Sequence, residues 1–155
     1  MLTKDAVVSL REITRDSLDV FLKMDVTEAQ KESRLVAPNS VSIAQAHFYQ
    51  DIAWFRGIYA DETPVGFVML ADDATQETYM LWRLMIDAQY QKMGFGSQAV
   101  MRIIDYVKTR PGAEVLMVSH SESEGNPGPF YEKLGFVYNG EKQYGELVMG
   151  FDLRD

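Results

Sequence analysis

The sequence predicts a mixed α/β fold around one central sheet, on three observations. An apolar segment, residues 79–86, runs into a glycine-bearing loop, then a helical pattern, then another strand-like segment, which makes a strand–helix–strand unit. Strand-like pairs joined by short turns stand on either side of that unit, so antiparallel hairpins come early and late. At 155 residues and 46% hydrophobic content, the chain can bury one core and reads as a single domain over residues 1–155.

The elements follow in order. Residues 6–13 alternate as a first strand, and Thr14 or Asp16 is expected to cap a helix carrying Leu18, Phe21 and Leu22. A polar stretch, 27–34, leads to Ala37-Pro38-Asn39-Ser40, read as a turn. Ser42 is expected to cap a short helix over 43–49. Residues 53–60 and 65–71, separated by Asp61-Glu62-Thr63-Pro64, read as a hairpin, and the strand 79–86 follows another polar turn. Ala99, Val100, Ile103, Ile104 and Val107 have helical spacing, ended by Arg110-Pro111-Gly112. A strand at 115–119 comes next. Asn126 as cap and Pro127 in the first turn open a short helix that runs through Leu134 and stops at Gly135. Two last strands, 136–141 and 146–153, meet at a turn holding Gly145.

The run Tyr90-Gln91-Lys92-Met93-Gly94-Phe95-Gly96-Ser97 carries the most chemistry. Gly94 and Gly96 strip side chains from the backbone where a helix begins, so an anion such as a diphosphate can approach N–H groups at the positive end of the helix dipole. A dinucleotide-binding reading fits less well: the third glycine position is Ala99, the loop begins past mid-chain, and the next strand runs into Ser119-His120 instead of an acidic residue.

Gln91, Gly94 and Gly96 in this setting resemble the acyl-CoA diphosphate loop of the GNAT superfamily of N-acyltransferases. A second GNAT signature is matched by Pro129-Phe130-Tyr131-Glu132-Lys133-Leu134-Gly135-Phe136, at the expected distance after the loop. The resemblance implies a GNAT-like mixed, mostly antiparallel sheet of about six to seven strands flanked by about four helices, with acetyl-CoA as co-substrate. It implies cofactor contacts from Leu84, Met85 and Ile86, from Gln91, Lys92, Met93, Gly94, Phe95, Gly96 and Ser97, and from Asn126, Phe130 and Lys133. The backbone near Leu84 or Met85 would polarise the acetyl carbonyl. Tyr131 would protonate the departing thiolate, which a phenol with a pKa of about 10 can do. One departure stands out: the family often carries Asn seven residues before the Tyr, whereas position 124 is Glu and Asn126 lies closer.

Composition narrows the chemistry. Without cysteine there is no disulfide, thiolate metal site or cysteine nucleophile, and two separated histidines argue against zinc, so no metal is expected. A formal charge of −8 disfavours nucleic acid and suits a cationic partner. No apolar stretch reaches the roughly 20 residues of a membrane span and the first residues lack a signal-peptide run, so a cytoplasmic location is expected. A homodimer is compatible with the sequence.

Several segments also resemble bacterial spermine/spermidine (diamine) acetyltransferases: Gln30-Lys31-Glu32, Val36 to Ser40, Ile58 to Glu62, Val65 to Met69 and Gly145 to Met149. The resemblance implies a polyamine acceptor. A polycation needs spaced carboxylates, for which Asp25, Glu28, Glu32, Glu141 and Glu146 are candidates, Glu32 and Glu146 foremost. His47, His120, Glu77 and Asp87 are conceivable general bases. The alternatives are another amine (an aminoglycoside, an amino-acid derivative or a protein N-terminus) or a non-catalytic acyl-CoA sensor.

Overall fold

The computed structural model describes residues 1–32 and 36–154, the side chain of Glu32 excepted. In chain order the elements are β1 (Val8–Arg11), α1 (Leu18–Lys23), α2 (Glu28–Glu32), α3 (Asn39–Phe48), β2 (Ala53–Ala60), β3 (Thr63–Asp73), β4 (Thr78–Ile86), a 3-10 turn (Ala88–Tyr90), α4 (Phe95–Val107), β5 (Val115–His120), α5 (Gly128–Leu134), β6 (Val137–Gln143) and β7 (Glu146–Asp152). The strands form one seven-stranded sheet in the order β1-β2-β3-β4-β5-β7-β6. Every neighbouring pair is antiparallel except β4–β5, as the strand–helix–strand unit requires.

Two differences from the sequence reading concern the N-terminal helices. The stretch 27–34 contains the short helix α2, so five α-helices flank the sheet instead of about four. Its signal is local: Thr27 and Gln30 exchange backbone-to-side-chain hydrogen bonds (Thr27 N–H to Gln30 Oε1, 3.2 Å; Gln30 N–H to Thr27 Oγ1, 3.3 Å), a capping box. Helix α3 begins at Asn39, not after Ser42. Ser42 is buried inside it, and Asn39 uses its Nδ2 to satisfy the Phe21 carbonyl near the end of α1 (2.9 Å). At the start of α1, Thr14 and Ser17 bond to each other and Ser17 holds the cap position. Phe21 is fully buried while Leu22 is exposed.

The sheet is covered on both faces. On one, the α4 residues Ala99, Val100, Ile103, Ile104 and Val107 are all buried against Val68, Leu70, Tyr79, Leu81, Leu116 and Val118. On the other, α3 covers Phe67, Met69 and Met85. A bulge divides β4 between these faces. Met69 pairs with Arg83 and Leu70 with Leu81, so Trp82 is the extra residue. Before it, Tyr79 and Leu81 face α4. After it, Leu84 and Ile86 do, with Met85 on the α3 face. Strict alternation would have put Met85 under α4.

Candidate active site

The parallel β4–β5 ladder contains only Tyr79↔Leu116, Met80↔Met117 and Leu81↔Val118. It stops where the bulge bends β4, and beyond that point Arg83, Leu84, Met85 and Ile86 pair with β3 alone. Successive residues of a strand point their N–H and C=O groups to opposite sides, so this stretch carries unpaired backbone groups along the widened gap. Of the residues expected from sequence to flank a thioester, Leu84 and Ile86 turn their backbone groups to this edge, where the Ile86 carbonyl accepts from Gln91, while Met85, in step with the Asp87 N–H bonded to Val65, turns its own to β3.

The glycine loop closes one end of the gap. Lys92 (φ 65°) and Gly94 (φ 81°) both take left-handed backbone conformations, and Gly94 stands in the cap position of α4. The first backbone bond from the cap runs from the Gln98 N–H to the Gly94 carbonyl (3.2 Å), which leaves the N–H groups of Phe95, Gly96 and Ser97 ahead of the helical ladder. Phe95 is buried and Met93 packs against the same core, anchoring the loop from below. A Cβ on Gly96 would lie 3.6 Å from the Phe130 ring and 3.7 Å from Ile86. The opening over these N–H groups thus lies between the end of β4 and α5. Lys92 is exposed and Ser97 half-buried. Gln91 plays a different part: its Nε2 donates to the Ile86 carbonyl (2.9 Å) and to Gln30 Oε1 (3.0 Å), tying the loop to the strand end and to α2.

Tyr131 enters from α5. Its ring is buried in edge-to-face contact with Phe130 (5.1 Å) and Phe136 (5.3 Å). Burial pushes the phenol pKa upward, so it holds its proton. Gly135, at φ 106°, ends the helix as its spacing predicts. Phe130 lines the same opening, and Lys133 is exposed on the last turn. Asn126 has both polar atoms engaged locally, donating to the Ser123 carbonyl (2.8 Å) and accepting from the Gly128 N–H (2.9 Å).

The base candidates separate by position. Glu77 lies in the turn before β4, against Gly112 and away from the glycine loop. His47 is exposed on α3. Asp87 accepts from the Asp25 N–H (3.4 Å) and Gln89 (3.0 Å). His120 is buried at the end of β5, with Nδ1 2.7 Å from the Ser121 carbonyl and Nε2 2.9 Å from the Tyr138 hydroxyl. A carbonyl only accepts, so Nδ1 donates to Ser121, and Nε2 shares a second hydrogen bond with the Tyr138 hydroxyl.

The carboxylates separate as well. Asp25 and Glu28 both pair with Lys31 (2.7 and 3.3 Å), Glu141 is exposed on edge strand β6, and the side chain of Glu32 lies outside the described residues. Glu146, at the start of β7, accepts a hydrogen bond from Ser119 of β5 (2.8 Å). Across from it on β4 is Arg83, bonded to Gln45 of α3 (3.1 Å); burial holds its guanidinium below the usual arginine range, and the Glu146 carboxylate offsets part of that. Arg83 was not singled out from the sequence, although a cation inside an otherwise apolar strand is the signal that marks it.

The model of the acetyltransferase (GNAT) family matches residues 12–136. The chain belongs to the GNAT family. It is an acetyl-CoA-dependent N-acetyltransferase by that membership. No curated protein shows a significant sequence match. Among solved structures, the chain is similar to the PaiA N-acetyltransferase of Thermoplasma acidophilum in complex with coenzyme A (TM-score 0.69, 16% identity, 94% of this chain and 98% of that one). It is also similar to N-acetylglutamate synthase of Neisseria gonorrhoeae complexed with coenzyme A and N-acetyl-glutamate (TM-score 0.68, 17% identity, 97% of this chain and 36% of that one). A third is a spermidine N-acetyltransferase SpeG chimera from Vibrio cholerae and hSSAT (TM-score 0.65, 16% identity, 92% of each). At such identities these likenesses speak to the fold alone.

Proposed function

We propose that this GNAT enzyme transfers the acetyl group of acetyl-CoA to a primary amine of a diamine or polyamine by direct attack in a ternary complex. The observation that carries the reading is that Ile86 at the end of β4 and Phe130 of α5, the neighbour of Tyr131, both flank Gly96 in the run of unladdered N–H groups Phe95, Gly96 and Ser97. The N–H groups suit a diphosphate, Lys92 and Ser97 stand beside it, and the strand edge suits the amide groups of pantetheine. A backbone N–H near Leu84 or Met85 polarises the acetyl carbonyl. The neutral amine then forms the N–C bond as the C–S bond breaks, the thiolate takes the Tyr131 proton, and the amine's surplus proton leaves to solvent, from which the phenolate regains a proton. Burial raises the phenol pKa, which keeps the group protonated at neutral pH but makes it a weaker acid toward the thiolate, so the transfer needs the thiolate in contact with it.

The acceptor class rests on the resemblance to diamine acetyltransferases, on Glu146 standing beside the gap, on the net charge of −8, and on a structural neighbour described as a spermidine acetyltransferase. The test is release of CoA thiol from acetyl-CoA with spermine, spermidine, putrescine and unrelated amines, using wild type and Tyr131→Phe. Amine-dependent release that collapses in the variant supports the reading. Tight CoA binding with no release on any amine would instead identify an acyl-CoA sensor.

A further inference from the structure

We infer that the acceptor carries a carboxylate beside its reacting chain, and that Arg83 and Glu146 on opposite walls of the gap hold that carboxylate and a second ammonium group. The inference rests on the amine-transfer reading and narrows the acceptor from diamines at large to diamino acids and related amino-acid amines. Arg83 lies on β4 just after the Trp82 bulge, on the sheet face opposite α4. The glycine loop and α5 occupy the other side, so Arg83 faces the space from which an amine can reach a thioester lying along the β4 edge.

Its environment is built for an anion that the protein does not supply. The guanidinium donates to two neutral acceptors, the Trp82 carbonyl through Nη1 and Gln45 Oε1 through Nη2, each at 3.1 Å. Nε is sealed from solvent without a partner. Among the described residues no carboxylate forms an ion pair with Arg83; Glu146 attracts it from beyond contact distance. A half-buried cation without a counter-ion is costly, and a ligand carboxylate on the second hydrogens of Nη1 and Nη2 would offset part of that cost through charge-assisted hydrogen bonds, with Nε staying sealed. Glu146 is the complement: Oε1 takes the Ser119 hydroxyl and Oε2 is left for an ammonium. A zwitterionic head spans the two walls, leaving the molecule's other amine to attack. Putrescine or spermidine would engage Glu146 alone and leave Arg83 without an anion, so they would be accepted but less favoured.

Matched acceptors test this, since ornithine and putrescine, like lysine and cadaverine, differ only by one carboxylate. We expect wild-type kcat/KM for CoA release to favour the carboxylated member of each pair by about ten-fold or more. Arg83→Gln should shrink that ratio by at least about ten-fold, Arg83→Lys by less, because an ammonium keeps the charge without the planar fork. A wild-type preference for putrescine and cadaverine would overturn the inference without needing either variant, as would a ratio that Arg83→Gln leaves unchanged. Failure of the underlying reading looks different: no amine, carboxylated or not, would release CoA.

Discussion

In the proposed reaction the Tyr131 phenol stays protonated over the working pH range. Burial raises its pKa above the ordinary value of about 10, so the acid form persists through neutral and mildly alkaline solution. Tyr131→Phe is expected to lower kcat by about 100-fold with little change in thermal midpoint. The pH–rate profile of the wild type should show no alkaline fall assignable to this group below about pH 10. A wild-type profile falling near pH 8 while the variant's stays flat would remove Tyr131 from the acid role. At this level the sequence was informative where a residue's role is local. The glycine at position 94 is demanded by its own φ of 81°, and Tyr131 is marked by the Pro129 to Phe136 motif, whereas the cap lies one residue later than the sequence predicts: α5 begins at Gly128 with Pro127, not Asn126, in the cap position. Arg83 and Glu146 were not legible as a pair, because what joins them is the arrangement of β4, β5 and β7 across the sheet. Gln91 was legible as part of the loop, but its bonds to Ile86 and Gln30 depend on where α2 folds back.

Bulges and tight packing decide how the elements are aimed. Without Trp82 as an extra residue, the second half of β4 would turn its faces over and bring Met85 under α4. No alternation of residue types announces such a shift, since Leu84, Met85 and Ile86 are all apolar. Helix α2 was within reach of sequence reasoning through Thr27 and Gln30, but its five residues carry no apolar periodicity. Helix α1 is seated on β2 by a close approach: a Cβ on Gly57 would lie 2.3 Å from Phe21 Cζ. Gly57→Ala should therefore destabilise the protein by about 1–3 kcal/mol in urea titration, and Phe21→Leu in the same chain should recover part of the loss. A cost for Gly57→Ala no larger than that of a surface substitution would contradict this packing. At the far end of β3, buried Asp72 accepts from the Tyr106 hydroxyl (2.7 Å) and from Arg110 Nε (3.0 Å), fastening the strand to α4 and the turn after it. Burial, reinforced by the bond to Asp72, pushes Tyr106 up to about 12. The sign follows from proton binding. Below about pH 10 folded and unfolded chains both keep this proton, and above it the unfolded chain loses its proton first. The contribution is thus full below about pH 10 and is lost as pH climbs through about 12. Asp72→Asn, which unpairs Arg110, should cost about 1–3 kcal/mol in the same titration yet leave KM for acetyl-CoA unchanged, because the glycine loop lies at the other end of β4.

Taken as a whole, the sheet consists of two antiparallel wings, β1 to β4 and β5-β7-β6, stitched by three residue pairs. The order of strands and the crossover through α4 could be read from the chain, whereas the shortness of that stitch could not. It comes from strand twist and the bulge, properties of neighbours in space. Such a hinge gives the C-terminal wing its own opening equilibrium, a foldon that can part from the rest at less than the full free energy of unfolding. Native-state hydrogen exchange should show β5 and β7 amides exchanging through an opening that leaves β3 protected. Acetyl-CoA, touching β4 on one wing and α5 on the other, would act as a clasp. At about 100 times its Kd it should slow that opening by the equivalent of about 2.7 kcal/mol, so that both wings exchange as one body. In the proposed complex, the weak stitch that leaves room for the thioester would also be where the cofactor's arrival is converted into rigidity.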